Sequence, residues 1–511
     1  MEICKHCGSD AGFSKAGTYK RADGTILNRR RCKSCLVSES FTVYETIQAP
    51  KIEVEPKEKI YIRKPEKQVF VFTSCQNDTD INYDFYNALQ EYCQLQNAEL
   101  VVLRTTQLSA HHKAFDPEWF VETEVGNINI ENANVKILNN FKVSPSQANP
   151  LSGLDILANG QHLILGHPQL QMKTLPSVSP EKPVFAYTTG TISVPNYTHS
   201  KAGVKAEQEH TFGALVVVVY EDGTVNMRSL LADDTGGFYD IDGYYTQYDY
   251  EPSIEGTTAL VTGDEHAIFM SKQVKECTYT NQDSMVNVLK PKFIVRHDVL
   301  DFYSGSHHHA NNYILRYEKA ANGTHSVSDE LYSTVNHILN TTPSYSKSLI
   351  IASNHNDHLM KWLNFTDPKI DLQNARLYHW FMYQIFTSIE LENETPNPFE
   401  LWVNKFFGDQ DKIEFIGRDE EFEINGIKVA VHGDKGVNGS RGSAAQISRM
   451  PGDYVIGHSH SPKIEKGCFQ VGTSTSRLEY AVGPTTWANT HCVIYPNGKR
   501  QLLTIVNGKW Y

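Results

Sequence analysis

Five apolar runs in this chain each end in side chains that can hold a metal ion, and this recurrence constrains the fold more than any other feature. The first is Leu260-Val261-Thr262-Gly263-Asp264-Glu265-His266. Side chains alternate along an extended strand, so Asp264 and His266 project to one side and Glu265 to the other. Two more follow: Phe293-Ile294-Val295-Arg296 runs into His297-Asp298, and Leu349-Ile350-Ile351-Ala352 into Ser353-Asn354-His355. The last two are Lys428-Val429-Ala430-Val431 into His432-Gly433-Asp434, and Tyr454-Val455-Ile456 into Gly457-His458-Ser459-His460. Strands that deliver polar residues at their carboxyl ends are the pattern of open α/β sheets, which bind ligands there.

The chain has 511 residues, too many for one compact core, and its hydrophobic content of 40% supports folded domains. No run of about 18 apolar residues occurs, and the start lacks an apolar signal core, so the expectation is a cytoplasmic protein with no membrane contact, in the host cytoplasm if phage-encoded. Four of the nine cysteines cluster at the amino terminus and five are scattered, which does not suit a disulfide framework. The net charge of -12 excludes a protein held on nucleic acid by bulk electrostatics, so a polyanion would be met locally.

Taken in order, the sequence predicts a zinc ribbon over 1–41, a linker over 42–67, an α/β accessory domain over 68–257 and a layered α/β domain over 258–511. Cys4-Lys5-His6-Cys7 and Cys32-Lys33-Ser34-Cys35 are two C-x2-C knuckles around a hairpin expected at Asp23-Gly24. Four thiolates so paired can close a tetrahedral shell around one structural Zn²⁺. Residues 1–40 carry eight Lys/Arg against four Asp/Glu, a basic ribbon on an acidic body that suggests contact with nucleic acid. The ribbon also resembles those at the front of transposase and other DNA-associated proteins, and a purely structural ribbon stays open. Pro50, Pro56 and Pro65 among Lys and Glu mark the linker. A β-α-β pattern over strand 68–73, helix 83–95 and strand 99–103 opens the accessory domain, which later holds a strand at 213–220. In the second half Ser328 can cap a helix, another covers about 375–389, and Pro496-Asn497-Gly498 and Val506-Asn507-Gly508 read as hairpin turns.

Asp264-x-His266, Asp298, Asn354-His355, His432 and Gly457-His458-x-His460, in this order, resemble the calcineurin-like metallophosphoesterase superfamily. The layout is similar to double-strand-break-repair exonucleases and to tailed-phage DNA-degrading enzymes, whose openings resemble Phe72-Thr73-Ser74-Cys75-Gln76-Asn77. The resemblance implies a C-terminal sheet sandwich flanked by helices, over about 258–511. It assigns one metal to Asp264, His266 and His460, a second to Asn354, His432 and His458, and makes Asp298 the bridge. Mixed carboxylate, imidazole and amide donors suit Mn²⁺ first, with Mg²⁺ or Fe as alternatives. Two such ions about 3.5–4 Å apart would acidify a bridging water for attack on phosphorus. His355 is then the catalytic histidine that is not a ligand.

Two departures accompany the match. The second block has His297 where the family usually has Gly, which leaves Asp301 as an alternative bridge. The third reads Ser353-Asn354-His355-Asn356 with Asp357 one place late, which leaves open the partner that orients His355. The loop 436–443 brings Arg441 as a candidate phosphate contact ahead of an expected helix. His307-His308-His309 reads as a solvated run and His358 as helix surface. The expected activity is a metal-dependent DNA phosphodiesterase, a nuclease and in first place an exonuclease, with DNA as partner and homo-oligomerisation left open. A phosphatase or small-nucleotide phosphodiesterase is the alternative, and a nucleic-acid-binding protein with a decayed site is the third reading.

Overall fold

The structure is a computed structural model. It describes residues 7, 13–20, 26–36, 38–41, 67–106, 111–112, 114, 117, 130, 133–178, 182–253, 256–408, 411–476, 478 and 481–511. The fold is mixed α/β with several sheets. Cys4, the Asp23-Gly24 hairpin and nearly all of the expected linker lie outside the described residues. Among the described residues no helix is long and apolar enough to cross a membrane.

The β-α-β reading holds. Strand Lys67–Gln76 pairs in parallel with Ala98–Thr105, and helix Tyr83–Gln96 connects them. Asn82 starts that helix by accepting from the Phe85 amide, and Asn97 ends it in the left-handed region at φ 50°. The apolar run Gly213–Tyr220 lies beside Lys67–Gln76 and turns through Asp222-Gly223 into Val225–Leu231. The result is a four-stranded sheet.

Two larger sheets build the site. A six-stranded sheet runs in the order Ile413–Ile416, Lys347–Ile351, Phe293–Arg296, Ala259–Val261, Thr490–Ile494, Arg500–Thr504. Its first four strands are parallel, so the segments after Val261, Arg296 and Ile351 all leave the same edge. In the second sheet, of nine strands, Ile427–Lys428 and Asp453–Ile456 are likewise parallel and present His432 and His458. One core joins the two layers: Val261, Val295, Leu349 and Ile351 pack in the same buried cluster as Val429, Val455 and Phe469. Helices Val327–Asn340, His358–Phe365, Ala375–Glu392 and Pro398–Phe407 supply the separate cluster that covers Ile350 and Leu300.

Three expectations change. The nine-stranded sheet crosses the division expected at residue 257, because Gln171–Leu175 pairs antiparallel with Lys463–Glu465 and brings 135–188 into the same sheet as the last two ligand strands. Helix Val327–Asn340 is capped by Ser326, which accepts from the Asp329 amide, so the start lies two residues before Ser328. The strand expected to reach Val431 stops at Lys428; Val429 and Ala430 are buried and Val431 is half-buried, outside any named strand.

Candidate metal centre

The seven expected ligand residues converge: six fall into two groups that a third group links, and Asn354 lies beside the second. Asp264, His266 and His460 form one, and Asp298, His432 and His458 the other; Asp298 also meets His266 and His355. Asn354 Oδ1 lies 3.1 Å from His432 Nε2 and 3.0 Å from His458 Nδ1. Of the two acids considered for the bridge, Asp298 occupies the centre. Asp301 instead accepts from His266 Nδ1 at 2.8 Å, behind the ligands.

The backbone that produces this convergence is unusual. His266, Asp298, His458 and His460 all have positive φ, at 39°, 43°, 75° and 58°. A non-glycine residue in this region costs on the order of 1–3 kcal/mol and persists where its surroundings over-determine it. Each tight reversal just past a strand end aims successive side chains into one space. Gly457 completes the arrangement, because a Cβ there would lie 2.3 Å from Asp264 Oδ1 and crowd His297. The missing side chain lets the His458 amide donate to Asp264 Oδ1 at 3.1 Å.

The donor chemistry fits divalent cations. His266 donates from Nδ1 to Asp301, so in the neutral ring Nε2 carries the lone pair, and that atom faces His460 Nε2 at 3.1 Å. Asp264 Oδ2 is fully buried 3.2 Å from His460 Nε2 yet makes no well-directed hydrogen bond. Three electron-pair donors aimed at one space are poorly matched to each other and well matched to a cation. The charges agree. Burial raises the Asp264 carboxyl, but the His460 contact and the neighbouring His432 bring it down to about 2. Burial lowers His432, but Asp298 beside it outweighs this and lifts the imidazole to about 9. A dication would bring the positive charge that the Asp298 carboxylate favours at His432.

Several supporting contacts carried no sequence signal. Glu265, on the opposite face from Asp264 and His266, meets the Arg296 guanidinium at 2.9 and 3.0 Å, His337 Nε2 at 3.0 Å and the Tyr279 hydroxyl at 2.5 Å, all buried. This network pins the strand ends that carry Asp264 and Asp298. Arg418 forks between Asp357, at 2.7 Å, and Asp434, at 2.9 Å, so Asp357 does not orient His355. That role falls to Asp301, whose backbone carbonyl lies 2.9 Å from His355 Nδ1. His297, in place of the usual glycine, is buried with its Nδ1 3.3 Å from His432 Nδ1, and burial followed by the charge of His432 pushes it down to about 4. Partners 14 to 135 residues away define these roles, which a linear pattern does not display.

The centre opens into a cleft of about 1420 Å³. Arg441 lines it together with Phe269, Tyr303 and Trp487. The helix expected after the 436–443 loop is one short turn, Ala444–Ile447, capped by Ser443. His358 is buried, contrary to its expected surface place, and its ring packs 4.8 Å from that of His355. At the amino terminus, Phe13–Lys20, Ile26–Cys32 and Ser38–Phe41 form an antiparallel three-stranded sheet. Cys7, Cys32 and Cys35 gather beside it in a group that could hold a metal, with the Cys7 and Cys32 sulfurs 3.8 Å apart.

No family model matches the chain. It is 31% identical over 459 residues, 86% of its own length and 82% of the relative's, to Protein A1 of Escherichia phage T5. This degree and extent of identity place the chain in a phage-related group, and it belongs to the same family as phage T5 Protein A1.

Proposed function

We propose that the protein is a dinuclear metal-dependent phosphodiesterase of the calcineurin-like type that hydrolyses DNA. The observation that carries this reading is the convergence of seven carboxylate, imidazole and amide side chains at neighbouring strand ends, with Asp298 shared between two groups. When bound, two divalent cations would supply Lewis-acid activation of water and neutralise charge at phosphorus. Asp264, His266 and His460 would hold one, Asn354, His432 and His458 the other, and Asp298 both. Mn²⁺ is the first choice for this set, with Mg²⁺ or Fe as alternatives. Asp301 fixes the tautomer of His266 through its carboxylate, and its carbonyl accepts from His355 Nδ1. A carbonyl can only accept, so Nδ1 of His355 carries a proton and Nε2 is the atom left for the substrate. In the doubly protonated ring, Nε2 gives its proton to the leaving oxygen of the phosphodiester.

A polymer substrate is supported by the cleft, whose volume exceeds the roughly 300–1,000 Å³ of sites for small ligands. Arg441 offers a phosphate contact, and the Phe269, Tyr303 and Trp487 rings offer stacking surfaces for bases. A zinc-bound ribbon formed by Cys7, Cys32 and Cys35 with Cys4 would add a second contact to DNA. The test is one set of incubations of linear DNA, circular DNA, RNA and p-nitrophenyl phosphates with Mg²⁺, Mn²⁺ or EDTA. DNA cleavage that needs metal is the expected result. Hydrolysis confined to the small esters would replace it with the phosphatase reading, and no hydrolysis at any metal would leave a binding protein.

A further inference from the structure

Outside the Asp298 centre, a second set of imidazoles is gathered at the cleft. Residues His307–His309 form a single 3-10 turn, and His358 begins the helix His358–Phe365. Nitrogen atoms of His307, His308 and His358 all lie within 4.8 Å of one another. The ring centroids are 3.9 Å apart for His307 and His308, 5.0 Å for His307 and His358, and 5.5 Å for His308 and His358. Imidazole nitrogens about 2.0–2.1 Å from a tetrahedral ion would put ring centroids about 5 Å apart, close to this spread. His309 stands apart, with its Nδ1 2.6 Å from Lys319 Nζ.

The second observation is the state of His358. Its side chain is 6% exposed, and its Nδ1 is buried without a hydrogen-bond partner. A buried ring nitrogen left unpaired is costly unless something binds it. The environment also favours the neutral over the protonated rings: burial first, then the charges of His355 and Lys361, push His358 down to about 3, and burial, His308 and Lys361 lower His307. Neutral imidazole is the form that binds metal.

We propose that His307, His308 and His358 form a third metal site, selective for a borderline dication such as Zn²⁺. Three nitrogen donors without a carboxylate favour Zn²⁺ over Mn²⁺ or Mg²⁺, in contrast to the oxygen-bearing set around Asp298. A fourth position faces the cleft, which His308 and His358 both line. Through the 4.8 Å packing of His358 on His355, this ion lies against the residue that faces the substrate. The site is built from residues outside the seven ligands and does not depend on the phosphodiesterase reading.

The experiment is equilibrium dialysis of the full chain against Zn²⁺ and, separately, Mn²⁺, followed by counting bound metal by mass spectrometry. His307 and His308 are exposed, so the double variant His307→Ala/His308→Ala should melt at the parent temperature. It should bind one Zn²⁺ fewer per chain and the same amount of Mn²⁺. Asp298→Asn should lose Mn²⁺ and keep the zinc that the double variant loses. Equal zinc in the double variant and the parent overturns the third site. Unchanged Mn²⁺ in Asp298→Asn would instead sink the dinuclear reading and leave the third site standing.

Discussion

His266 Nδ1 and Asp301 Oδ2 are 2.8 Å apart, and that contact decides which of two nearby acids reaches the candidate metal centre and which supports it. Asp298 lies inside the ring of ligands with one carboxylate oxygen 3.1 Å from His432 Nε2, whereas the Asp301 carboxylate is occupied by His266. Asp298→Asn should therefore cost more activity than any other single ligand change. Asp301→Asn keeps the ligands and loosens one of them, so Mn²⁺ affinity should fall by roughly 10–100-fold. Calorimetric Mn²⁺ titrations of both variants check the order. A mild Asp298→Asn beside a severe Asp301→Asn would show that the bridge has been assigned to the wrong acid.

Behind the site, Glu265 and Arg296 form a pair with both side chains fully buried. Burial raises the Glu265 carboxyl, but Arg296 and His337 outweigh it and hold the group well below the usual carboxylate range. Arg296→Met removes the partner and strands a charge, and the expected loss of stability is about 3–5 kcal/mol. Adding Glu265→Gln should recover a large part of that loss, because it removes the stranded charge. Urea melts of the single and double variants give both numbers. A double variant no more stable than Arg296→Met would mean that packing, not charge, governs this position.

The acid limb of stability should report a second buried pair, remote from the metal centre. Arg228 meets both oxygens of Asp240 at 2.7 and 2.6 Å, and Tyr92 donates to the same carboxylate at 2.7 Å. Burial raises Asp240, and Arg228 with its hydrogen bonds more than reverses this, so the folded pKa is depressed. A depressed carboxyl contributes its full stability above its unfolded value, near 3.9, and loses it as pH falls from there toward the folded value. Urea midpoints measured between pH 6 and 2 should drop below about pH 4 more steeply in the parent than in Asp240→Asn. Parallel curves would remove Asp240 from the acid response.

Much of this architecture was legible in the chain because strand and ligand signals are local. Each apolar run ends within three residues of its first candidate metal-binding side chain, and alternation alone separates Asp264 and His266 from Glu265. The sheet that joins 135–188 to the final ligand strands left no such trace, since the pairing of Met172 with Ile464 is a contact between distant segments. The same limit hid the supporting role of Asp301 and the contacts of Arg418 and His337. His358 was misread because a lone polar residue on a helix is normally solvated, and here the 307–309 turn and His355 cover it. The positive φ values at His266, Asp298, His458 and His460 were equally invisible, because tertiary packing holds those residues in a region that their side chains disfavour.

The amino-terminal cysteines give a prediction that separates folding from binding. Cys7, Cys32 and Cys35 already gather into one group, and Cys4 would supply a fourth thiolate. Cys7→Ser with Cys32→Ser should release one zinc and weaken DNA binding more than it slows hydrolysis of a small phosphodiester. Bound zinc, filter-binding affinity and p-nitrophenyl ester turnover are the three readouts. Equal loss of both activities would make this amino-terminal segment a support for the rest of the chain instead of the proposed DNA contact.

His355 allows chemistry to be distinguished from metal binding. Its amide donates to Asp298 Oδ1 at 3.2 Å and its Nδ1 to the Asp301 carbonyl at 2.9 Å, so the ring is held by its backbone and one nitrogen while Nε2 is left for the substrate. As a proton donor it should be expendable for metal loading and costly for turnover. His355→Asn is expected to keep both ions of the Asp298 centre and to lower DNA hydrolysis by roughly 10²–10⁴-fold. A p-nitrophenyl ester, whose leaving group needs little protonation, should lose much less, because the missing proton matters in proportion to the basicity of the departing oxygen. Asn354→Ala should instead lose one metal and depress both substrates together. A His355→Asn protein that binds one ion fewer would make His355 a ligand, and equal losses on DNA and the p-nitrophenyl ester would remove it from the proton-transfer step.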